Sequence, residues 1–292
     1  MWNLNDLYEG FNEKYQQDIQ TLKTHMEAFK SFVETKDDQD VQTFLETYLL
    51  KEEQITKLVR TLYAFASLKY SSNVNDPEPL GYMATLDNVL KSVTKENVLM
   101  TRYIANCDIE SLSEQSEIIK KYAYNLNRTK ASATYLLSES EETLVAKFQE
   151  VASDSWRRLQ QMLTSNLKVP FKNKTITLSE VRNLAYEADP TTRKDAYEAE
   201  LKALETIDDP VALAITNIKR QVNMMNGFRG YLSPLEPTLR SSKMTQARLD
   251  ALIQAMESYR PSFASYLKAK AEYLGHQNGL PFYDLFAPVG HG

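Results

Sequence analysis

Apolar residues recur every three or four positions along most of this chain, and this spacing restricts the fold more than any other feature. Such a period places the apolar side chains on one face of an α-helix. The first apolar series consists of Phe11, Tyr15, Ile19, Leu22, Met26, Phe29 and Val33. Only 8 glycines and 10 prolines occur in 292 residues, so few residues interrupt the helices. We therefore predict an all-α protein built as an array of helices.

Several short sequences predict where helices begin. Proline is tolerated in the first turn of a helix, and an Asp before it can accept a hydrogen bond from a free backbone N–H group. Residues 75–79, Asp189-Pro190 and Asp209-Pro210 fit this pattern. Ser138 and Glu141 have the spacing of a capping box, in which each side chain bonds the backbone N–H of the other residue. We predict a helix start at each of these four places.

Other segments are predicted from periodicity and from helix-breaking residues. Residues 80–104 keep the helical period and are predicted to form one helix. Residues 167–178 alternate apolar and polar side chains around a Lys-Asn-Lys turn at 172–174, which predicts one small β-hairpin. Residues 226–234 contain two glycines and a proline and predict a loop. Pro261 is predicted to start or kink a helix.

Charge, hydropathy and cysteine content exclude several classes of protein. With 34 Lys+Arg against 39 Asp+Glu the formal charge is −5, so we expect no basic face that would bind nucleic acid. No uncharged apolar run approaches the roughly 18 residues of a membrane helix, and the first residues do not resemble a signal peptide. The single cysteine, Cys107, is expected to be a small buried apolar residue rather than a nucleophile. We predict a cytoplasmic protein.

The sequence lacks the residue patterns of common catalytic centres. No H-E-x-x-H motif occurs, and His25, His276 and His291 are far apart in sequence and expected to face solvent. Pairs of adjacent carboxylates are expected at loops or helix starts, where they complement the helix macrodipole or face water. They are Asp37-Asp38, Glu52-Glu53, Glu141-Glu142 and Asp208-Asp209. The residues by themselves therefore predict no catalytic and no metal-binding side chain.

Several stretches occur in the order and at the spacing of one known family. They are residues 2–8 (WNLNDLY), 137–142 (LSESEE), 193–197 (RKDAY), 229–233 (RGYLS) and 283–288 (YDLFAP). Together they resemble the oligoendopeptidase F branch of the thimet-oligopeptidase-like zinc metallopeptidases. The ordered set carries the resemblance, which spans nearly the whole chain and about the N-terminal half of such an enzyme.

The resemblance implies an almost wholly helical, clam-like fold around a channel that admits short peptides. In that family two His of a H-E-x-x-H helix and a downstream Glu hold zinc, and the motif Glu is the general base. These elements lie beyond the segment that residues 283–288 resemble, so no zinc ligand or catalytic residue carries over. We expect this stretch alone to bind no zinc and to be inactive.

The resemblance also suggests how the chain is organised. Residues 1–110 would form an N-terminal helical lobe. Residues 111–183 would form a second helical segment that includes the hairpin. Residues 184–292 would begin the helical catalytic domain and stop before its zinc site.

Arg229, Gly230 and Tyr231 form the one family-like element outside plainly helical sequence. In a functional interpretation they line the peptide channel, and Arg229 meets a substrate carboxylate. In a structural interpretation Gly230 adopts a backbone conformation that other residues avoid, and Tyr231 is packed. Both interpretations stay open at this point.

Two functions of different class fit the sequence. The first is the N-terminal portion of a zinc-dependent oligoendopeptidase, with short peptides as substrates and a C-terminal catalytic half as partner. The second is a non-catalytic helical protein that binds a peptide or a partner. Apolar residues at 249–256 and 280–286 predict a surface for pairing with the second half or for homo-oligomers. The last residues, 288–292, form no capping sequence, which favours a truncated chain.

Overall fold

α-Helices account for most of the backbone in this computed structural model, which describes residues 3–290. The chain divides into two units, Met1–Val151 (unit 1) and Ala152–Gly292 (unit 2). The helices of unit 1 are α1 (Glu13–Glu34), α2 (Val41–Ser72), α3 (Pro77–Lys91), α4 (Thr94–Ala105), α5 (Ile109–Gln115), α6 (Glu117–Ser132) and α7 (Glu139–Gln149). Unit 2 contains α8 (Ser153–Asn166), β1 (Lys168–Phe171), β2 (Lys174–Thr177), α9 (Leu178–Asn183), α10 (Pro190–Leu204), α11 (Asp208–Arg229), α12 (Leu235–Ser241) and α13 (Gln246–Tyr273). The predicted all-α class with one small hairpin is confirmed.

The core of unit 1 forms around the apolar face of α1. Six of the seven residues in the predicted series are buried, and Phe11 packs against the core just before the helix begins. The largest buried side chains of this core are Tyr15, Phe29, Phe44, Phe65, Leu22, Leu45 and Leu62. Each such side chain contributes roughly 1.5–3 kcal/mol on full burial. The core is continued by residues of α2, α3, α4 and α6.

All four predicted helix starts are confirmed to within two residues. Asp76 and Asp189 cap α3 and α10, and the Ser138–Glu141 capping box opens α7. The prediction that Asp209 caps a helix before Pro210 is wrong. Helix α11 begins at Asp208, and Pro210 lies inside its first turn. Its missing N–H is not needed there, because the first N–H groups of a helix have no intrahelical partner.

The predicted β-hairpin is confirmed. Strands β1 and β2 are antiparallel, with Val169 opposite Ile176. Lys172 has a φ of 52° at the turn. The hairpin is followed at once by α9, which Thr177 opens with a second capping box, so Leu178 starts a helix rather than ending a strand.

Three helix boundaries differ from the predictions. Residues 80–104 form two helices rather than one. At the break the hydroxyl groups of Ser92 and Thr94 donate hydrogen bonds to the carbonyls of Val89 and Lys91, and these bonds compete with those of a continuous helix. The predicted loop at 226–234 is helical up to Arg229. Pro261 does not start a helix: α13 continues through it, at the cost of the hydrogen bond that its N–H would donate.

Unit 2 has a smaller core than unit 1. It forms between the hairpin, α9 and α10, and its buried members are Leu167, Val169, Leu178, Val181, Ala196, Ala203 and Ile207. Helix α8 packs along α11, and the backbone N–H of Ser153 donates to the side-chain carbonyl of Gln221 at 2.7 Å. Helix α13 is 28 residues long, yet Lys270 and Ala271 are its buried residues.

The division into two units places its boundary at 151/152, whereas the three predicted segments had boundaries at 110/111 and 183/184. Helix α6 packs against α2 and α4, and α10 packs against β1 and α9. The division into residues 1–110, 111–183 and 184–292 stays a prediction. None of the helices described between residues 3 and 290 is both long and apolar enough to cross a membrane.

Candidate functional site

The segment Arg229–Tyr231 closes helix α11. Gly230 has a φ of 76°, in the left-handed region that favours glycine. The N–H of Tyr231 donates to the carbonyl of Asn226 at 3.0 Å, and that of Gly230 to Gly227 at 3.1 Å. These two bonds are those of a Schellman motif, which ends a helix by satisfying its last carbonyls. The backbone accounts for Gly230 without a substrate, and a role of Arg229 in a peptide channel stays a prediction.

A buried ion pair lies in unit 2, between two of the family-like stretches. The Arg193 guanidinium donates to the Asp284 carboxylate through Nε at 2.8 Å and Nη2 at 2.7 Å. Its Nη1 donates to the carbonyls of Glu187 and Ala188 at 2.7 and 2.9 Å. Both side chains are almost completely buried. A buried charge needs such full pairing, because the loss of hydration is otherwise uncompensated.

His276 completes this cluster. Its Nε2 lies 2.6 Å from the second oxygen of the Asp284 carboxylate. The expectation that His276 faces solvent is therefore wrong: the ring is partly buried against a carboxylate. Nearby, the Lys270 ammonium donates to the carbonyl of Leu285 at 2.9 Å. The cluster ties the Phe282–Asp284 turn and the residues after it to α10 and α13.

A cavity of about 440 Å³ opens beside this cluster. Five of its twelve lining residues are aromatic: Tyr186, Tyr197, Phe282, Tyr283 and Phe286. Tyr186 and Phe286 have ring centroids 5.2 Å apart, and Tyr197 lies 5.7 Å from Phe282. Arg182 and Glu200 pair at 2.6 Å on the same wall. The motif residues 283–288 thus contribute to an aromatic cavity.

Apolar side chains are exposed along α11 and α13. Those at least two-fifths exposed are Leu213, Ile215, Val222, Met224, Phe228, Leu252, Ile253, Met256, Tyr259, Phe263, Tyr266 and Tyr273. After α11, Leu232 is 96% exposed. Along α13, Leu252, Met256, Tyr259, Phe263 and Tyr266 recur every three or four residues and therefore share one face of the helix. An exposed apolar face of this kind is typical of an interface with another polypeptide. The prediction named Leu252, Ile253 and Met256 as part of such a surface.

Among residues 3–290 no three His, Cys, Asp or Glu side chains converge as metal ligands would. Cys107 is buried, and burial raises the pKa of its thiol, which makes it a poor nucleophile. Trp2 and His291 lie outside the described residues.

The expectation for one carboxylate pair is wrong. Glu52 and Glu53 lie in the middle of α2 rather than at a loop or helix start. Glu52 is half-buried, and burial raises the pKa of its carboxyl. The cavities that Glu52 lines also include residues of α1, α3, α4 and α6, which the periodicity of α2 alone does not identify.

Comparison with known proteins first defines the class. A family model described as Oligopeptidase F matches residues 104–168. This segment runs from the end of α4 to the start of the hairpin. It contains the family-like stretch LSESEE, residues 137–142.

Individual relatives agree with this class. Oligopeptidase PepF of Bacillus subtilis is 19% identical over 300 residues, which cover 99% of this chain and 44% of that protein. An oligoendopeptidase F homolog of Lactococcus lactis is 22% identical over 307 residues, covering 99% of this chain and 49% of the relative. The crystal structure of oligoendopeptidase-F from Enterococcus faecium superposes with a TM-score of 0.79 at 16% identity, covering 94% of this chain and 56% of that one.

These matches confirm the predicted resemblance to the oligoendopeptidase F family. The solved structure shows that the fold is shared. The chain spans about half the length of the curated relatives that it matches, as the predicted resemblance to an N-terminal half requires.

Proposed function

We propose that this chain is the N-terminal portion of a zinc-dependent oligoendopeptidase that hydrolyses short peptides. The observation that carries the proposal is coverage: the chain matches nearly end to end, yet spans only about half of each relative. In this proposal unit 2 forms one wall of the substrate channel. Arg229 would meet a carboxylate of the bound peptide there.

The residues described here do not fit a zinc site. His276 already contacts Asp284, and no group of three potential ligands occurs between residues 3 and 290. We therefore assign the zinc ligands and the general base to the half that follows, and no catalytic step to this chain. Its own contribution would be to position the peptide and to support the catalytic half.

The exposed apolar side chains of α11 and α13 supply the surface for that support. Burial of an apolar side chain is favourable by roughly 25 cal/mol for each Å² removed from water. Unpartnered, the same surface promotes association between copies of this chain. We therefore expect the isolated chain to form oligomers whose size rises with concentration, and the second half to disperse them.

The test combines light scattering with a peptide-cleavage assay. The second polypeptide is expressed from the sequence downstream of residue 292, which the proposal requires to encode a H-E-x-x-H motif. The mixture should cleave short peptides, and a chelator should abolish the cleavage. Phe263→Ser should weaken assembly, whereas Phe148→Ser, an equally exposed residue in unit 1, serves as the matched control.

Two results would contradict the proposal. One is a monomeric chain that neither binds the second polypeptide nor restores cleavage, which would favour a stand-alone peptide-binding or partner-binding protein. The other is stoichiometric zinc bound by the chain alone.

A further inference from the structure

A second cavity, in unit 1, lies between α2 and α6 and is unrelated to the aromatic cavity of unit 2. Its volume is about 690 Å³, within the range of small-ligand sites. One wall consists of eight residues on one face of α2, from Tyr48 to Thr61. The opposite wall includes Tyr122, Asn125 and Thr129 of α6.

The charges on the α2 wall are ordered by sign. Glu52 and Glu53 lie on the N-terminal side of Lys57 and Arg60 along this wall. Two negative and two positive side chains cancel, so the cavity has no net charge but has an acidic and a basic end. A ligand with one charge at each end fits this arrangement better than a ligand of a single sign.

The two ends differ from ordinary surface charges in how they are partnered. The Glu52 carboxylate accepts a hydrogen bond from Thr56 at 3.4 Å, and no cation pairs with it among the residues described. Within the same part of the chain, Arg60 has neither a hydrogen bond nor an ion pair. Glu53, by contrast, is exposed and has Lys121 at 4.0 Å.

Burial makes the Glu52 position unusual. Withdrawal from water raises the pKa of the Glu52 carboxyl, and burial likewise raises that of the Tyr48 phenol beside it. A carboxylate removed from water is unfavourable unless it is paired. An ammonium group at Glu52 would supply the missing partner.

The separation of the two ends sets the length of the ligand. Eight residues of helix separate Glu52 from Arg60, or about 12 Å along the axis at ~1.5 Å per residue. An extended peptide of three residues spans about 10–11 Å. The side-chain amide of Asn125 and the hydroxyl of Thr129 could bond its peptide groups.

A smaller cavity beside the larger one has room for a side chain of that ligand. It has a volume of about 220 Å³ and shares Glu52, Thr56 and Arg60 with the larger one. Its walls are otherwise largely apolar, with Met26, Phe29, Ile55, Val59, Leu90 and Val93. An aliphatic side chain from the middle of a tripeptide is the group that such walls favour.

We propose that this cavity of unit 1 binds short zwitterionic peptides of about three residues, with the ammonium group at Glu52 and the carboxylate at Arg60. The site is separate from the proposed channel wall. Binding does not depend on the peptidase assignment, since it is measured with this chain alone.

Calorimetric titration with Ala-Leu-Ala, its N-acetyl form and its C-terminal amide tests the proposal. Each blocked form should bind roughly tenfold or more weakly than the free peptide, the effect of losing a hydrogen bond to a charged group. Glu52→Gln should weaken binding of the free peptide to the level of the acetylated peptide. This variant should still bind the free peptide more tightly than the amide. Arg60→Gln should weaken binding of the free peptide to the level of the amide. This variant should still bind the free peptide more tightly than the acetylated peptide.

The crossed pattern separates binding from misfolding, because a variant that fails to fold loses both discriminations. Glu34→Gln and Lys174→Gln make the same charge changes outside this cavity and should bind all three peptides as the unchanged chain does. Equal binding of blocked and free peptides would overturn the proposal. So would loss of ammonium recognition in Glu53→Gln but not in Glu52→Gln.

Discussion

Units 1 and 2 are built from the same kind of amphipathic helices but bury them to very different degrees. Unit 1 encloses large aromatic side chains such as Tyr15, Phe44 and Phe65 with no exposure. The buried cluster of unit 2 consists of Leu, Val, Ile and Ala residues. Its longest helix, α13, keeps Met256 and Phe263 65% exposed.

The difference shows that helical periodicity and burial are separate properties. An apolar stripe forms on a helix whether or not something covers it, and the covering element decides its contribution to stability. In unit 1 other helices of the same unit cover α1. In unit 2 the apolar side chains of α11 and α13 are the surface that we propose the second half covers.

The largest expected difference between the two units concerns the buried Arg193–Asp284 ion pair, which stabilises unit 2 beside its small core. Arg193→Met should destabilise unit 2 by about 3–5 kcal/mol, because Asp284 is left charged and buried without its main partner. Urea unfolding followed by the fluorescence of Trp156, which lies in α8 of unit 2, measures the change.

Arg182→Met is the control for that prediction. Arg182 pairs with Glu200 at 2.6 Å but is more than half exposed, and an exposed pair contributes about 1 kcal/mol at most. The double variant Arg193→Met, Asp284→Leu should recover part of the lost stability. If Arg193→Met and Arg182→Met lose the same small amount of stability, the charge of Arg193 contributes no more than that of an exposed pair. Its contribution would then come from the apolar stem, which Met retains.

Matched leucines compare the two units directly. Leu62 of α2 is completely buried, whereas Leu252 of α13 is 49% exposed. Leu62→Ala should cost roughly 2–5 kcal/mol, through lost transfer free energy and the cavity left behind. Leu252→Ala should cost about 0.5 kcal/mol or less in the isolated chain.

Amide hydrogen exchange measures the stability cost of Leu62→Ala in α2 of unit 1 and that of Leu252→Ala in α13 of unit 2. Adding the second polypeptide should increase the cost of Leu252→Ala and leave that of Leu62→Ala unchanged. A large cost at Leu252 without a partner would mean that unit 2 is more completely packed than its exposed residues indicate.

The smallest expected effect concerns the pH dependence of unit 1. Burial raises the pKa of Glu52 in the folded chain above its ordinary value of 4.5, so the folded state binds the proton more tightly than the unfolded state does. The stability contribution of this group is therefore present at low pH and is lost as pH rises through the folded pKa. Glu52→Gln removes that loss.

Urea unfolding at several pH values between 4 and 7 checks this sign. The free energy of unfolding of the unchanged chain should fall relative to that of Glu52→Gln as pH rises. Glu34→Gln, exposed at the end of α1, supplies the baseline. A difference that widens in the opposite direction would show that Glu52 is stabilised as a carboxylate.

Much of the fold could be predicted because the interactions that form it are local. The α1 series, the Ser138–Glu141 capping box and the β-hairpin all depend on residues within a few positions of one another. The errors fall where two local signals compete, as in the break between α3 and α4. They also fall at residues 226–229, where glycine predicts a loop but α11 continues to Arg229.

The sequence by itself determined which residues form helices, where most helices begin, and the family that the ordered stretches resemble. Only the tertiary structure decided which faces are covered and which charges are buried. Arg193 and Asp284 are 91 positions apart, and the cavities beside Glu52 are lined by residues of α1, α3, α4 and α6. Burial depends on what the rest of the chain places opposite a side chain, and periodicity within one helix contains no information about that partner.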